Sequence, residues 1–75
     1  MKNPQHIIAF GEHLQKLRKE RKLSQQALAD MADLPKKTIQ RIELAKHVAS
    51  IDICVSIAIA LEIELSTLFN FEILE

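Results

Sequence analysis

Four side chains that can grip acceptor atoms, Lys36, Lys37, Gln40 and Arg41, fall close together in the sequence. At about 100° of turn per residue, a helix would gather them on one side and place Ile39 and Ile42 on the other. Lysine and arginine donate to phosphate oxygens and to the O6 and N7 acceptors of guanine, and glutamine can pair bidentately with adenine. A face of this kind needs no nucleophile and no metal. It suits a partner dense in acceptors, and double-stranded DNA entered through the major groove is the expected one.

The segment that must position these residues is SQQALADMADLPKKTIQRIE, residues 24–43. Ser24 precedes Gln25-Gln26-Ala27 as an N-cap whose hydroxyl can accept a hydrogen bond from a free backbone N–H, starting a helix over about Gln25–Met31. A tight break at Ala32-Asp33-Leu34 ends it. Pro35 suits a helix start, so the next helix should cover about Pro35–Leu44. Two helices so joined form a helix-turn-helix.

Around this unit, Ile7, Phe10, Leu14 and Leu17 recur at three- and four-residue spacing and predict a first helix over about Gln5–Arg21. Ser50 caps a fourth helix over Ile51–Leu61, with Asp52 favourably placed in its first turn. Ile51, Cys54, Val55, Ala58 and Leu61 are expected on its core face, and a short fifth helix near Ser66–Phe69. One glycine, two prolines and no repeat leave little for strands and tight turns. The expectation is an all-α, compact five-helix fold in one domain, 1–75, with a mobile start (1–4), a helical core (5–69) and a tail (70–75). A chain this small buries only about 60% of the surface it exposes when unfolded.

Composition narrows the function further. Tyrosine and tryptophan are absent and phenylalanine occurs only at 10, 69 and 71, so an aromatic platform for single strands is not expected. Cys54 lies in an apolar run without histidines at zinc-ligand spacing and reads as a core residue; no metal and no cofactor are expected. His6, His13 and His47 are scattered, and no serine, cysteine or carboxylate pair stands near a base at catalytic spacing, so an enzyme is not expected. The apolar run Ile53–Leu61 is far shorter than the about 18 residues of a membrane span, and the start lacks the pattern of a secretory signal; the expected location is the cytoplasm. Nothing points to a small-molecule ligand. Net charge is zero, yet all ten Lys and Arg lie between Lys2 and Lys46 with five acids, giving 10 − 5 = +5, while His47–Glu75 carries five acids and no Lys or Arg, giving −5. The basic half contains the helix-turn-helix, as a DNA-facing end would.

Taken in order, Phe10-Gly11-Glu12, Leu14, Leu17-Arg18, Leu23-Ser24-Gln25, Leu28-Ala29, Thr38-Ile39, Arg41-Ile42-Glu43, Ala58, Leu61, Leu65 and Leu68-Phe69 resemble the lambda-repressor and Cro-like (XRE-type) helix-turn-helix family across roughly Phe10–Phe69. The resemblance implies a lambda-repressor-like fold and a sequence-specific transcriptional regulator, commonly a dimeric repressor. It makes the third helix the recognition helix, with Lys36, Lys37, Gln40 and Arg41 at base- and phosphate-contacting positions. It adds Gln25 at the start of the second helix, and Lys46 and His47 in the following loop, as backbone contacts. It implies a structural ion pair between Arg18 and Glu43. Lys19, Arg21 and Lys22 could add phosphate contacts. The sequence departs from the family where glycine is usual, at Asp33, Ala45 and Glu62, and these turns either differ or carry strain.

A homodimer on two half-sites is the expected assembly. Ile53, Ile57 and Ala60 form a second apolar strip on the fourth helix, and Ile63, Phe71, Ile73 and Leu74 add apolar surface, so Ile53, Ile57, Ile63, Phe69, Phe71, Ile73 and Leu74 are the expected dimer interface, through the fifth helix and the tail; the alternative is that strip and tail pack within the monomer. The tail's alternation could also pair as a short strand. The competing reading is a protein-interaction module, antitoxin-like or otherwise, that keeps the fold but works through its acidic, apolar C-terminal half.

Overall fold

The computed structural model describes residues 2–73 as five helices: α1 (Pro4–Glu20), α2 (Gln25–Ala32), α3 (Lys36–Glu43), α4 (Ile51–Ala60) and α5 (Leu65–Leu68). No strand occurs among the described residues, and Asn70–Ile73 of the tail are irregular. Leu74, expected at the dimer interface, lies outside the described residues.

Local chemistry accounts for where the helices begin. Pro4 opens α1, where its missing N–H costs no hydrogen bond, so this helix begins within the segment expected to be mobile. The Ser24 hydroxyl accepts from the Ala27 N–H at 3.0 Å and the Ser50 hydroxyl from the Ile53 N–H at 3.1 Å, capping α2 and α4. Pro35 is the residue before α3 rather than its first, with φ −64° and ψ 142°.

The helix ends share one device. After each of α1 to α4 a residue turns left-handed, Lys22, Asp33, Ala45 and Glu62, all with φ of 57° to 59°. The N–H of the next residue then bonds back to a carbonyl five residues earlier: Leu23 to Arg18 at 3.2 Å, Leu34 to Ala29 at 2.9 Å, Lys46 to Arg41 at 2.8 Å and Ile63 to Ala58 at 3.0 Å. These bonds satisfy carbonyls that the helix leaves free. None of the four is glycine, so each carries the left-handed strain of a Cβ. Three were marked in the sequence by missing glycines; Lys22 was not.

The core is built from Leu14, Leu28, Ile39, Ile42, Ile57, Leu61 and Leu68, all essentially inaccessible to solvent, with Phe10, Ala29 and Cys54 around them. Burying each Leu or Ile contributes about 1.5–3 kcal/mol. Burial also pushes the Cys54 thiol pKa up, holding it neutral.

Helix α4 departs from the sequence expectation. Cys54, Ala58 and Leu61 do face inward, but Ile57 is fully buried and Ala60 is buried too, while Ile51 and Val55 are exposed. Ile57 therefore leaves the expected dimer interface and joins the core, and Ile53, Ile63 and Phe71 pack half-buried against that core. The physical reason is that α4 is apolar at all but Asp52 and Ser56, so apolar spacing alone does not single out one face.

Candidate nucleic-acid interface

Helix α3 is pinned by its buried side. Ile39 and Ile42 are 0% and 1% exposed, whereas Lys36, Lys37, Gln40 and Arg41 all stand exposed on the opposite side. The four donors are thus brought together on one rigid, solvent-facing ridge. Lys36 and Lys37 open the helix, where the free N–H groups of a first turn also favour an anion.

The orientation of α3 depends on two contacts with α1. At Gly11 the helices run so close that an added Cβ would lie 2.5 Å from the Ile42 carbonyl oxygen and 3.0 Å from that of Glu43. Only glycine fits there. The sequence pattern contained Gly11 without assigning it a task, although a lone glycine inside a helix is itself a signal of close approach.

The second contact is a charged fork. Arg18 Nε donates to Glu43 Oε2 at 2.7 Å and its Nη2 to Glu43 Oε1 at 3.0 Å, with the two side chains 9% and 2% exposed. Arg18 Nη1 also donates to the Leu23 carbonyl at 2.8 Å, tying in the turn before α2. Hydrogen bonding to Glu43 raises the already high Arg18 pKa, and burial opposes it only in part, so the guanidinium stays charged. Gln25 completes the group by donating from Nε2 to Glu43 Oε1 at 3.1 Å. Its side chain, half-buried at the start of α2, is therefore held in place before any partner arrives.

The loop after α3 is organised by Arg41. Its Nη2 donates to the Lys46 carbonyl at 3.3 Å while the Lys46 N–H donates to the Arg41 carbonyl at 2.8 Å. This double link positions Lys46, whose side chain is exposed. His47 differs from Lys46: it is half-buried, its Nε2 is out of solvent without a hydrogen-bond partner, and it lines a groove with Phe10, Val48, Ile51 and Phe69. Lys19, Arg21 and Lys22 are exposed at the end of α1. His13, not singled out in the sequence, joins its Nε2 to the Thr67 carbonyl at 2.9 Å, linking α1 to α5. No group of three or more potential metal ligands occurs among the described residues.

This arrangement, a capped helix, a left-handed turn and a second helix displaying donors, lies within residues 14–68, which match a family model described as helix-turn-helix. The chain belongs to that helix-turn-helix family, and its class is that of DNA-binding transcriptional regulators. Among solved structures it is similar to the restriction-modification controller protein C.AhdI from Aeromonas hydrophila, with 32% identity and a TM-score of 0.83 over 84% of this chain and 96% of that one. It is also similar to an HTH_3 family transcriptional regulator from Vibrio cholerae, with 28% identity and a TM-score of 0.85 over 89% of this chain and 38% of that one. No curated protein sequence matches it.

Proposed function

We propose that the chain is a sequence-specific repressor that binds double-stranded DNA as a homodimer, reading the major groove with α3. The observation that carries this reading is the opposition of faces on α3: buried isoleucines fix the helix, and Lys36, Lys37, Gln40 and Arg41 project from it together. Lys37 and Gln40 are assigned to base edges, and Lys36 to phosphate at the α3 start. Arg41 holds the loop and presents its remaining donors outward. Gln25 and Lys46 grip the backbone on either side, and His47 contributes through the position of the loop. Arg18 and Glu43 orient α3 and touch no DNA.

The protein acts by occupying its operator in the cytoplasm, without catalysis. Its similarity to a restriction-modification controller supports a role of that kind at a promoter. No helix among the described residues is long and apolar enough to cross a membrane. A mobility shift on genomic fragments at two salt concentrations tests the reading. Retarded complexes that weaken steeply with salt are expected, because binding at phosphates releases counterions; no retardation at either salt would overturn it.

A further inference from the structure

We propose that Leu44 reads the C5-methyl group of a thymine in the major groove, at the end of each half-site away from Lys37. The proposal rests on the reading of α3 as the helix that enters the groove, and it adds an apolar contact to the polar ones which that reading assigns.

Leu44 directly follows α3 and is 58% exposed. Its backbone keeps the course of the helix, with φ −86° and ψ 3°, and its N–H donates to the Gln40 carbonyl at 3.1 Å. At about 100° per residue its side chain therefore falls between those of Gln40 and Arg41, on the donor side of the helix. Ile39 and Ile42 are buried on the opposite side. Within residues 36–44, Leu44 is thus the one exposed apolar side chain, on a ridge that otherwise carries lysine, glutamine and arginine. A single exposed leucine is ordinary on a protein surface; its place on the groove-facing ridge is what gives this one a task.

The floor of the major groove offers one apolar group, the thymine C5-methyl, while adenine, guanine and cytosine present donors and acceptors there. A leucine brings no hydrogen bond to that floor. It gains free energy by covering the methyl, whereas against another base it would displace water from polar edges without replacing the hydrogen bonds lost. Length sets the register. From Lys37 to Leu44 the helix rises by about 10.5 Å, close to three base-pair steps of about 3.4 Å each. The thymine should therefore lie about three base pairs from the position read by Lys37. The backbone around Leu44 is also tied down: Arg41 Nη2 donates to the Lys46 carbonyl at 3.3 Å and the Lys46 N–H donates to the Arg41 carbonyl at 2.8 Å, closing the turn on either side of it.

Selection from a random DNA pool gives the half-site, and paired duplexes then test the contact, because uracil differs from thymine only by the missing methyl. Wild type and Leu44→Ala are each titrated with the selected duplex and with one carrying uracil in place of that thymine. The wild type should bind the uracil duplex about fourfold more weakly for each methyl removed, the worth of one buried methyl group. Leu44→Ala, with unchanged melting, should bind both duplexes alike. The uracil comparison on the wild type needs no variant and stands by itself. Selected half-sites with no thymine about three base pairs from the position that Lys37→Ala relaxes, wild-type binding indifferent to uracil, or a uracil effect that persists in Leu44→Ala would each overturn the contact and leave the operator reading in place. Failure of the wild type to enrich any sequence would defeat the operator reading and this contact with it.

Discussion

Helices α3 and α4 are each anchored by a fully buried isoleucine, Ile39 and Ile57, yet they turn opposite kinds of surface to solvent. Helix α3 shows water Lys36, Lys37, Gln40 and Arg41; helix α4 shows it Ile51, Val55 and Ile59. A polar face is well solvated alone and can exchange water for phosphate and base contacts when a duplex arrives. An apolar face has no such resting state and gains free energy only when covered. The two exposed faces thus differ in what each can gain from contact, one by exchanging water for polar partners and the other by being covered.

The sharpest way to break the first half of this comparison is to release α3 from its support. Arg18→Ala leaves Glu43 buried without its partner and should cost about 3–5 kcal/mol, measured by urea unfolding. That is comparable with the whole stability of a small domain, so DNA binding should fall with it. An unchanged melting temperature would show that the fork does not hold the helix.

The second half is sharpened by two isoleucines two positions apart on α4. Ile57→Ala opens a cavity in the core and should cost about 2–5 kcal/mol. Ile59→Ala, at an exposed position, should change stability by less than about 0.5 kcal/mol. Equal costs at both positions would mean that the inward and outward sides of α4 are wrongly assigned.

A smaller effect concerns the turn that joins these two regions. Ala45 is left-handed, with φ of 59°. Glycine there removes a Cβ penalty of about 1–2 kcal/mol, offset by roughly 0.4–1 kcal/mol of extra unfolded-chain entropy. Ala45→Gly should therefore stabilise by about 0.5 kcal/mol, a rise of roughly 2–4 °C in thermal melting for a domain of this size. A fall in melting temperature would contradict this account of the turn.

The contrast between the helices also explains what could be read from sequence. Helix α3 alternates donors with isoleucines at helical spacing, so its two sides separate on inspection. In α4 nearly every position is apolar, and counting apolar residues assigned Ile51 and Val55 inward and Ile57 outward. The informative residues there were the polar ones. Asp52 and Glu62, with Val55 and Ile59 between them at three- and four-residue intervals, mark the side that faces water. The five-helix fold was legible because capping serines, proline and the spacing of Ile7, Phe10, Leu14 and Leu17 act locally. The close approach at Gly11, the Arg41 link to the loop and the inward packing of His47 arise from tertiary contacts, which spacing along the chain does not encode.

The exposed face of α3 is tested most directly by selecting bound sequences from a random DNA pool with the wild type and with Lys37→Ala, whose side chain makes no hydrogen bond or ion pair among the described residues. The wild type should enrich two half-sites about one helical turn apart, and Lys37→Ala, with unchanged melting, should relax the preference at one base position per half-site and bind about 1–3 kcal/mol more weakly. Enrichment of the same sequence with the same affinity by both proteins would contradict the assignment of α3 as the reading helix.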